Sequence, residues 1–326
     1  VLADLPEGGL VVLADDDPAA LAADIARVEN DWPAGSGLAI ASGAIDVDEA
    51  ARRSGRAGAV LGLFLPPPTG RTQLCEIARP SRATAEIAAT GIAFARRIGR
   101  QPLVVTGGPP GRVSAALDGA LFAAAEVLAM TGTDPAAIDT ALRGIGLALG
   151  PFERVDHGWY TPGGAPGGDS RLLARMRDAG WTGRDAGQGF YRYRTDGAVD
   201  GVAPEARRLI GALREASRVP AAVTAPGPDE IRRRCLLAMA NAGARLVADG
   251  AVARAADVDV AATHGLGLGR WLGGPMHLAD HIGLLHARNL MRGWTGAGDL
   301  SMAVWDPAPL FGEAIKSGQG FTEETG

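Results

Sequence analysis

The strongest constraint on the fold is a pattern that occurs twice. Residues 109–156 open on Pro109-Pro110-Gly111 and place Val113, Leu117, Leu121, Ala124 and Leu128 on one helical face. Ile231, Cys235, Met239, Ala242 and Leu246 repeat that spacing, each 118 residues further on. Downstream, AAIDTA at 136–141 answers ADVDVA at 256–261, and LGPFERVD at 149–156 answers LGGPMHLAD at 272–280. A helix, an Asp-containing turn and a Gly-Pro turn in one order predict a duplicated helical domain; the period is too long for a solenoid. Matching apolar faces must be buried, so the two copies are expected to meet.

Ahead of the repeat the pattern changes. Short apolar runs at 10–14, 37–41, 59–65 and 102–106 read as strands. Asp17-Pro18 reads as an N-cap and first helical position, followed by Leu21, Ile25, Val28 and Trp32 on one face and a stop at Pro33. Ser81 is expected to cap a further helix with Ile87, Gly91, Phe94 and Ile98 in register. Strands alternating with helices argue for an α/β layer with a parallel sheet. From Gly107 onward strand signals almost vanish. GGAPGG at 163–168 reads as a flexible insertion and VPAAVTAPGP at 219–228 as a linker. The expected division is 1–106, a partial Rossmann-like α/β domain; 107–218, a first all-α domain; 219–228, the linker; and 229–326, a second all-α domain.

The 326 residues suffice for two or three compact units, and a formal charge of −5 gives no reason to expect nucleic acid or an anionic membrane as partner. Cys75 and Cys235 stand far apart in apolar settings and read as buried free thiols, which suits a cytoplasmic protein. No run approaches 18 apolar residues, so no membrane span is expected. His277, His281 and His286 have near-helical spacing, yet no Cys or clustered carboxylate completes a set, so no metal is expected.

Several segments resemble the L-3-hydroxyacyl-CoA dehydrogenase family, in the long form with a duplicated C-terminal domain found in multifunctional fatty-acid oxidation proteins. LVVLADDDPAALAADIARVENDWPAGSGLAIAS is similar to the later strands of that family's NAD-binding domain. GLFLPPPTGRTQLCEI resembles the stretch G-[LM]-H-F-F-N-P-x-x-x-x-x-L-V-E-[IV], GWTGRDAGQGFYRY its G-x-K-x-G-x-G-F-Y-x-Y signature, and RWLGGPMHLAD its second Gly-Gly-Pro motif. The resemblance implies a helical part of the 6-phosphogluconate-dehydrogenase C-terminal type. It also implies a His base oriented by a Glu, with a Ser and an Asn contacting substrate. Matched without gaps, the His position is Phe64, the Glu position is Glu76, the Ser position is Gly43 and the Asn position is Ala115. Ser42 is one residue from the Ser position, but on a strand end that slip is expected to point it to the other face. Glu76, an acidic residue after a short strand, is expected to be solvated.

The family's cofactor is NAD, yet no G-x-G-x-x-G follows the first strand, and the match aligns residue 10 with about the fourth family strand. The fingerprint is therefore expected upstream of Val1, and the chain alone is not expected to bind NAD. GLGLG at 265–269 reads as a turn, and Asp15 to Asp17 as helix-capping acids rather than a ribose partner. With three of four polar catalytic groups replaced, the expected protein is catalytically degenerate. Its expected work is acyl-CoA binding or assembly with an upstream domain or other subunits of a fatty-acid oxidation complex. The alternative is an active NAD-dependent enzyme converting 3-hydroxyacyl-CoA to 3-oxoacyl-CoA, as part of a multifunctional protein.

Overall fold

The computed structural model describes residues 9–31, 35–68, 72–160, 168–220, 222 and 224–322. Trp32, Pro33 and most of the 163–168 insertion lie outside them, as do two residues of the 219–228 stretch. Two compact units emerge, one of residues 1–114 and 249–265, the other of residues 115–248 and 266–326.

The first unit is built on β1 (Leu10–Leu13), α1 (Pro18–Asp31), β2 (Gly37–Ile40), α2 (Val47–Arg53), β3 (Val60–Phe64), β4 (Leu74–Arg79), α3 (Ala85–Arg97) and β5 (Gln101–Thr106). The strands form one five-stranded sheet in chain order. Both of its faces are covered, which the alternation of β2 shows. Leu38 and Ile40 join Leu21, Ile25 and Val28 of α1, whereas Ala39 joins Leu61, Leu63, Ile77 and Ile87. Asp17 caps α1 as expected, its carboxylate accepting the Ala19 N–H.

Three expectations need correction here. The sheet is not wholly parallel: β4, absent from the expected strands, pairs antiparallel with β3. Only residues 65–73 join the two, too short a path for a parallel crossover. The cap of α3 is Thr84, which accepts the Ile87 N–H, while Ser81 donates its hydroxyl to Asp48. Ile98 is not on the buried face of that helix but ends it, 42% exposed.

The second unit begins within α4 (Arg112–Met130) and continues through α5 (Pro135–Arg143), α6 (Pro151–Asp156), α7 (Arg171–Asp178), β6 (Tyr191–Tyr193), β7 (Val199–Val202) and α8 (Pro204–Ala216). The hairpin of β6 and β7 is a strand pair the sequence reading missed. The second copy follows as α9 (Pro228–Ala248), α10 (Ala255–Val260), α11 (Pro275–Ile282), α12 (Leu284–Trp294), α13 (Asp299–Trp305) and α14 (Pro309–Ser317), with α10 belonging to the first unit. The chain is thus an α/β layer followed by a duplicated helical part, as the repeat foretold. Within the second unit the copies meet: Arg232 Nε of α9 donates to the Ala141 carbonyl of α5, and Gly269 N–H to the Ile145 carbonyl.

The repeated apolar faces are buried in both copies. Val113, Leu117, Leu121, Ala124 and Leu128 are at most 1% exposed, and their counterparts on α9 at most 8%. Burial on all sides also makes α4 apolar enough to pass as a membrane span by length and composition, contrary to expectation. Its most apolar window is 94% buried in the protein, as suits a core helix.

Candidate functional site

Phe64 and Glu76 face each other across the antiparallel ladder of β3 and β4. Directly paired residues project from the same face of a sheet, so the two side chains are neighbours. The Phe64 ring lies on the backbone of Gly111, where an added Cβ would stand 2.7 Å from ring carbon Cδ2. Gly111 has φ 85°, so the turn into α4 excludes a side chain both conformationally and sterically. An aromatic hydrocarbon thus fills the position matched to the base, and it accepts no proton.

Glu76 is not solvated, as the sequence reading had it, but fully buried. Its Oε1 accepts the Val113 N–H at 3.0 Å, and its Oε2 accepts both the N–H and the hydroxyl of Ser114 at 3.0 Å. The carboxylate therefore satisfies orphan donors at the first turn of α4 and meets the positive end of the helix dipole. Burial pushes its carboxyl above the usual range, against the opposing pull of those donors. Strand pairing alone does not reveal this arrangement, because the partners lie 37 and 38 residues away.

A cleft of about 330 Å³ opens at the carboxyl ends of β1, β2 and β3. Its lining includes Phe64, Gly43 and Ser42 together. The expectation that Ser42 faces away is overturned: β2 ends at Ile40, so strand alternation does not reach residue 42. Its hydroxyl donates to Asp16 Oδ1 at 3.1 Å and accepts the Ala44 N–H. At Gly43 an added Cβ would meet only the Pro110 carbonyl at 3.8 Å, so the position has room for a side chain it lacks. Ala115 stands on α4, in the residue after Ser114.

The sequence reading also missed two carboxylates of the second unit. Asp156 accepts the N–H groups of Phe190 and Tyr191 at 2.8 and 2.9 Å, and Asp280 those of Phe321 and Thr322 at 2.7 and 2.9 Å. Both loops read Gly-Gln-Gly-Phe, at 187–190 and 318–321, a further echo of the duplication that was open to inspection. Asp139, fully buried, accepts the Tyr191 hydroxyl at 2.7 Å and the Phe152 and Glu153 N–H groups at 3.1 Å. These are internal staples: every contact named is to the protein's own backbone or hydroxyls.

The described residues do not fit a dinucleotide. Its pyrophosphate needs open backbone donors at a glycine-rich turn and helix N-terminus. After β1 the chain instead presents Asp15, Asp16 and Asp17, and Asp17 occupies the first turn of α1 with its own carboxylate. Among the described residues no cluster of three His, Cys, Asp or Glu side chains is placed to hold a metal.

Searched against family models, the chain matches none. It is similar to a Shewanella fatty acid oxidation complex subunit alpha, 28% identical over 267 residues, covering 76% of this chain and 35% of that protein. A guinea-pig (Cavia porcellus) peroxisomal bifunctional enzyme is 29% identical over 264 residues, covering 74% and 36%. The chain therefore spans about a third of the length of these curated relatives. In fold it is similar to an Escherichia coli 3-hydroxybutyryl-CoA dehydrogenase, with a TM-score of 0.71 at 16% identity over 95% of this chain and 82% of that one. The dehydrogenase part of a multifunctional enzyme from C. elegans gives 0.62 at 19% identity, over 94% and 71%. The structural likenesses speak for the fold, and the sequence relatives match about three quarters of this chain. Sequence relatives and fold together support the resemblance of the chain to the 3-hydroxyacyl-CoA dehydrogenase family.

Proposed function

We propose that the chain is a catalytically degenerate member of the 3-hydroxyacyl-CoA dehydrogenase family, serving fatty-acid oxidation by binding acyl-CoA or by assembly with other oxidation subunits. One observation carries this reading: the base position holds Phe64, and the Glu76 beside it has both oxygens engaged by the first turn of α4. Oxidation of a 3-hydroxyacyl thioester needs a group that takes the hydroxyl proton as hydride departs. Gly43 and Ala115 supply no polar contact in its place. With the acids after β1 unsuited to a dinucleotide, NAD binding by this chain alone is not part of the proposal. The helical copies at 107–218 and 229–326, joined at 219–228, are proposed as the assembly-bearing domains of a cytoplasmic protein.

The second reading, an active NAD-dependent dehydrogenase within a multifunctional protein, draws support from the Ser42–Asp16 pair lining the same cleft as Phe64. Consumption of NADH with acetoacetyl-CoA by the purified chain separates the two. The proposed function expects none. Turnover above roughly 1 s⁻¹, within the usual enzyme range, establishes the second reading instead. Acyl-CoA raising the thermal unfolding midpoint of an inert chain supports binding; no shift leaves only the assembly role.

A further inference from the structure

We propose that the cleft at the carboxyl ends of β1–β3 binds a small amphiphile that is uncharged or cationic, an apolar chain or ring ending in a hydroxyl or an amine. The inference rests on the cleft's own chemistry and not on the family reading. Its walls are Val12, Ala41, Leu63, Phe64, Leu65 and Phe94. At about 330 Å³ it lies at the small end of the range for ligand pockets. Val12 and Leu65 remain 45% and 46% exposed, so apolar surface that an occupant would bury stands open to water.

The polar equipment is one-sided. Ser42 is 4% exposed, and its hydroxyl accepts the Ala44 N–H while spending its one proton on Asp16 Oδ1. It thereby fixes the Asp16 carboxylate at the cleft, leaving Oδ2 without a partner among the described residues. Asp15 and Asp17 flank it in sequence and add like charge, and among the described residues the lining contains no Lys, Arg or His. A carboxylate held by a buried hydroxyl beside an apolar hollow accepts a hydrogen bond or pairs with a cation. The same field repels a carboxylate or phosphate. Phe64 is central to this chemistry, since an imidazole there would put a titratable donor into the wall.

Three probes of equal length test the assignment by calorimetry on the full chain: hexylamine, hexan-1-ol and hexanoate. The expected order is amine, then alcohol, then hexanoate, with the amine about fivefold or more tighter than hexanoate, as a partly exposed ion pair allows. Asp16→Asn should bring amine and hexanoate to near equality, and Ala41→Leu, which fills the hollow, should weaken all three. Asp16 is exposed, so that variant keeps a folded chain for the comparison even if Ala41→Leu does not fold. Hexanoate binding as tightly as hexylamine, an order unchanged by Asp16→Asn, or no saturable binding by any probe overturns the proposal. Thermal protection by acyl-CoA is a separate readout on the same chain, so failure of either proposal is distinguishable from failure of the other.

Discussion

Asp118 and Arg154 form a buried ion pair in the first helical copy, and the duplication replaces both partners with leucine in the second. Arg154 Nε and Nη2 donate to Asp118 Oδ1 and Oδ2 at 2.9 and 3.0 Å, and the side chains are 5% and 3% exposed. The repeat matches Asp118 to Leu236 and, counting back from Asp156 and Asp280, Arg154 to Leu278. The matched positions therefore hold an ion pair in one copy and two leucines in the other. Buried pairs are costly to break and cheap to replace as a unit. Asp118→Leu alone should cost about 3–5 kcal/mol, whereas Asp118→Leu with Arg154→Leu should be near neutral or stabilising. Urea unfolding of the three proteins checks this; a double variant as unstable as the single one refutes it.

The two Gly-Gln-Gly-Phe loops should differ in their tolerance of a methyl group. A Cβ on Gly189 would stand 2.1 Å from Asp156 Oδ1, whereas one on Gly320 would stand 3.1 Å from the Asp280 carboxylate. Gly189→Ala should lose about 1–3 kcal/mol by overpacking, and Gly320→Ala distinctly less. Thermal midpoints that fall equally would show that the Asp156 staple yields where its geometry implies that it does not.

Stability should decline as pH rises from about 4 to 7. Burial pushes the carboxyls of Asp139 and Glu126 up to about 7 and that of Asp156 up to about 6. Unfolded, such groups titrate near pH 4. A raised folded pKa means that the folded state holds its protons longer. The contribution is therefore whole below about pH 4 and lost as pH climbs through 6–7. A tenfold change in proton affinity is worth about 1.4 kcal/mol, so the summed loss is on the order of several kcal/mol. Glu49, held below the usual range by the guanidiniums of Arg53 and Arg52, works with the opposite sign below about pH 4. Unfolding free energies at pH 4.5 and 7.5 measure the slope. Asp139→Asn should flatten it, and a slope unchanged by that substitution would clear Asp139 of the effect.

Phe64→His should not create a dehydrogenase. A positioned base contributes about 10²–10⁴ in rate, but only with its orienting and substrate-binding partners in place. Glu76 is committed to Val113 and Ser114, and Gly43 and Ala115 remain without polar groups. NADH consumption with acetoacetyl-CoA by the single variant should stay at background. Glu76→Leu should meanwhile destabilise the chain by about 1–3 kcal/mol for each buried donor it strands, a loss read by urea unfolding.

Much of the architecture is local and periodic, and for that reason legible. The apolar faces of α4 and α9 follow from residues three and four apart on a helix, and they are buried in both copies. Asp17 before Pro18 marks the start of α1 because cap and helix are adjacent in sequence. That Phe64, Gly43 and Ala115 offer no side-chain proton acceptor is likewise plain from residue identity, since no fold lends a phenyl ring a lone pair. What the tertiary structure decided is whom each polar group meets. Glu76 reads as an acid beside a short strand until β4 turns back along β3 and delivers it to α4, where burial makes its hydrogen bonds obligatory. Ser42 reads as facing away until β2 stops at Ile40 and frees it to hold Asp16. Hydrogen bonds between residues tens of positions apart leave no period in the sequence. They are set by the path of the backbone between them, which only the folded chain defines.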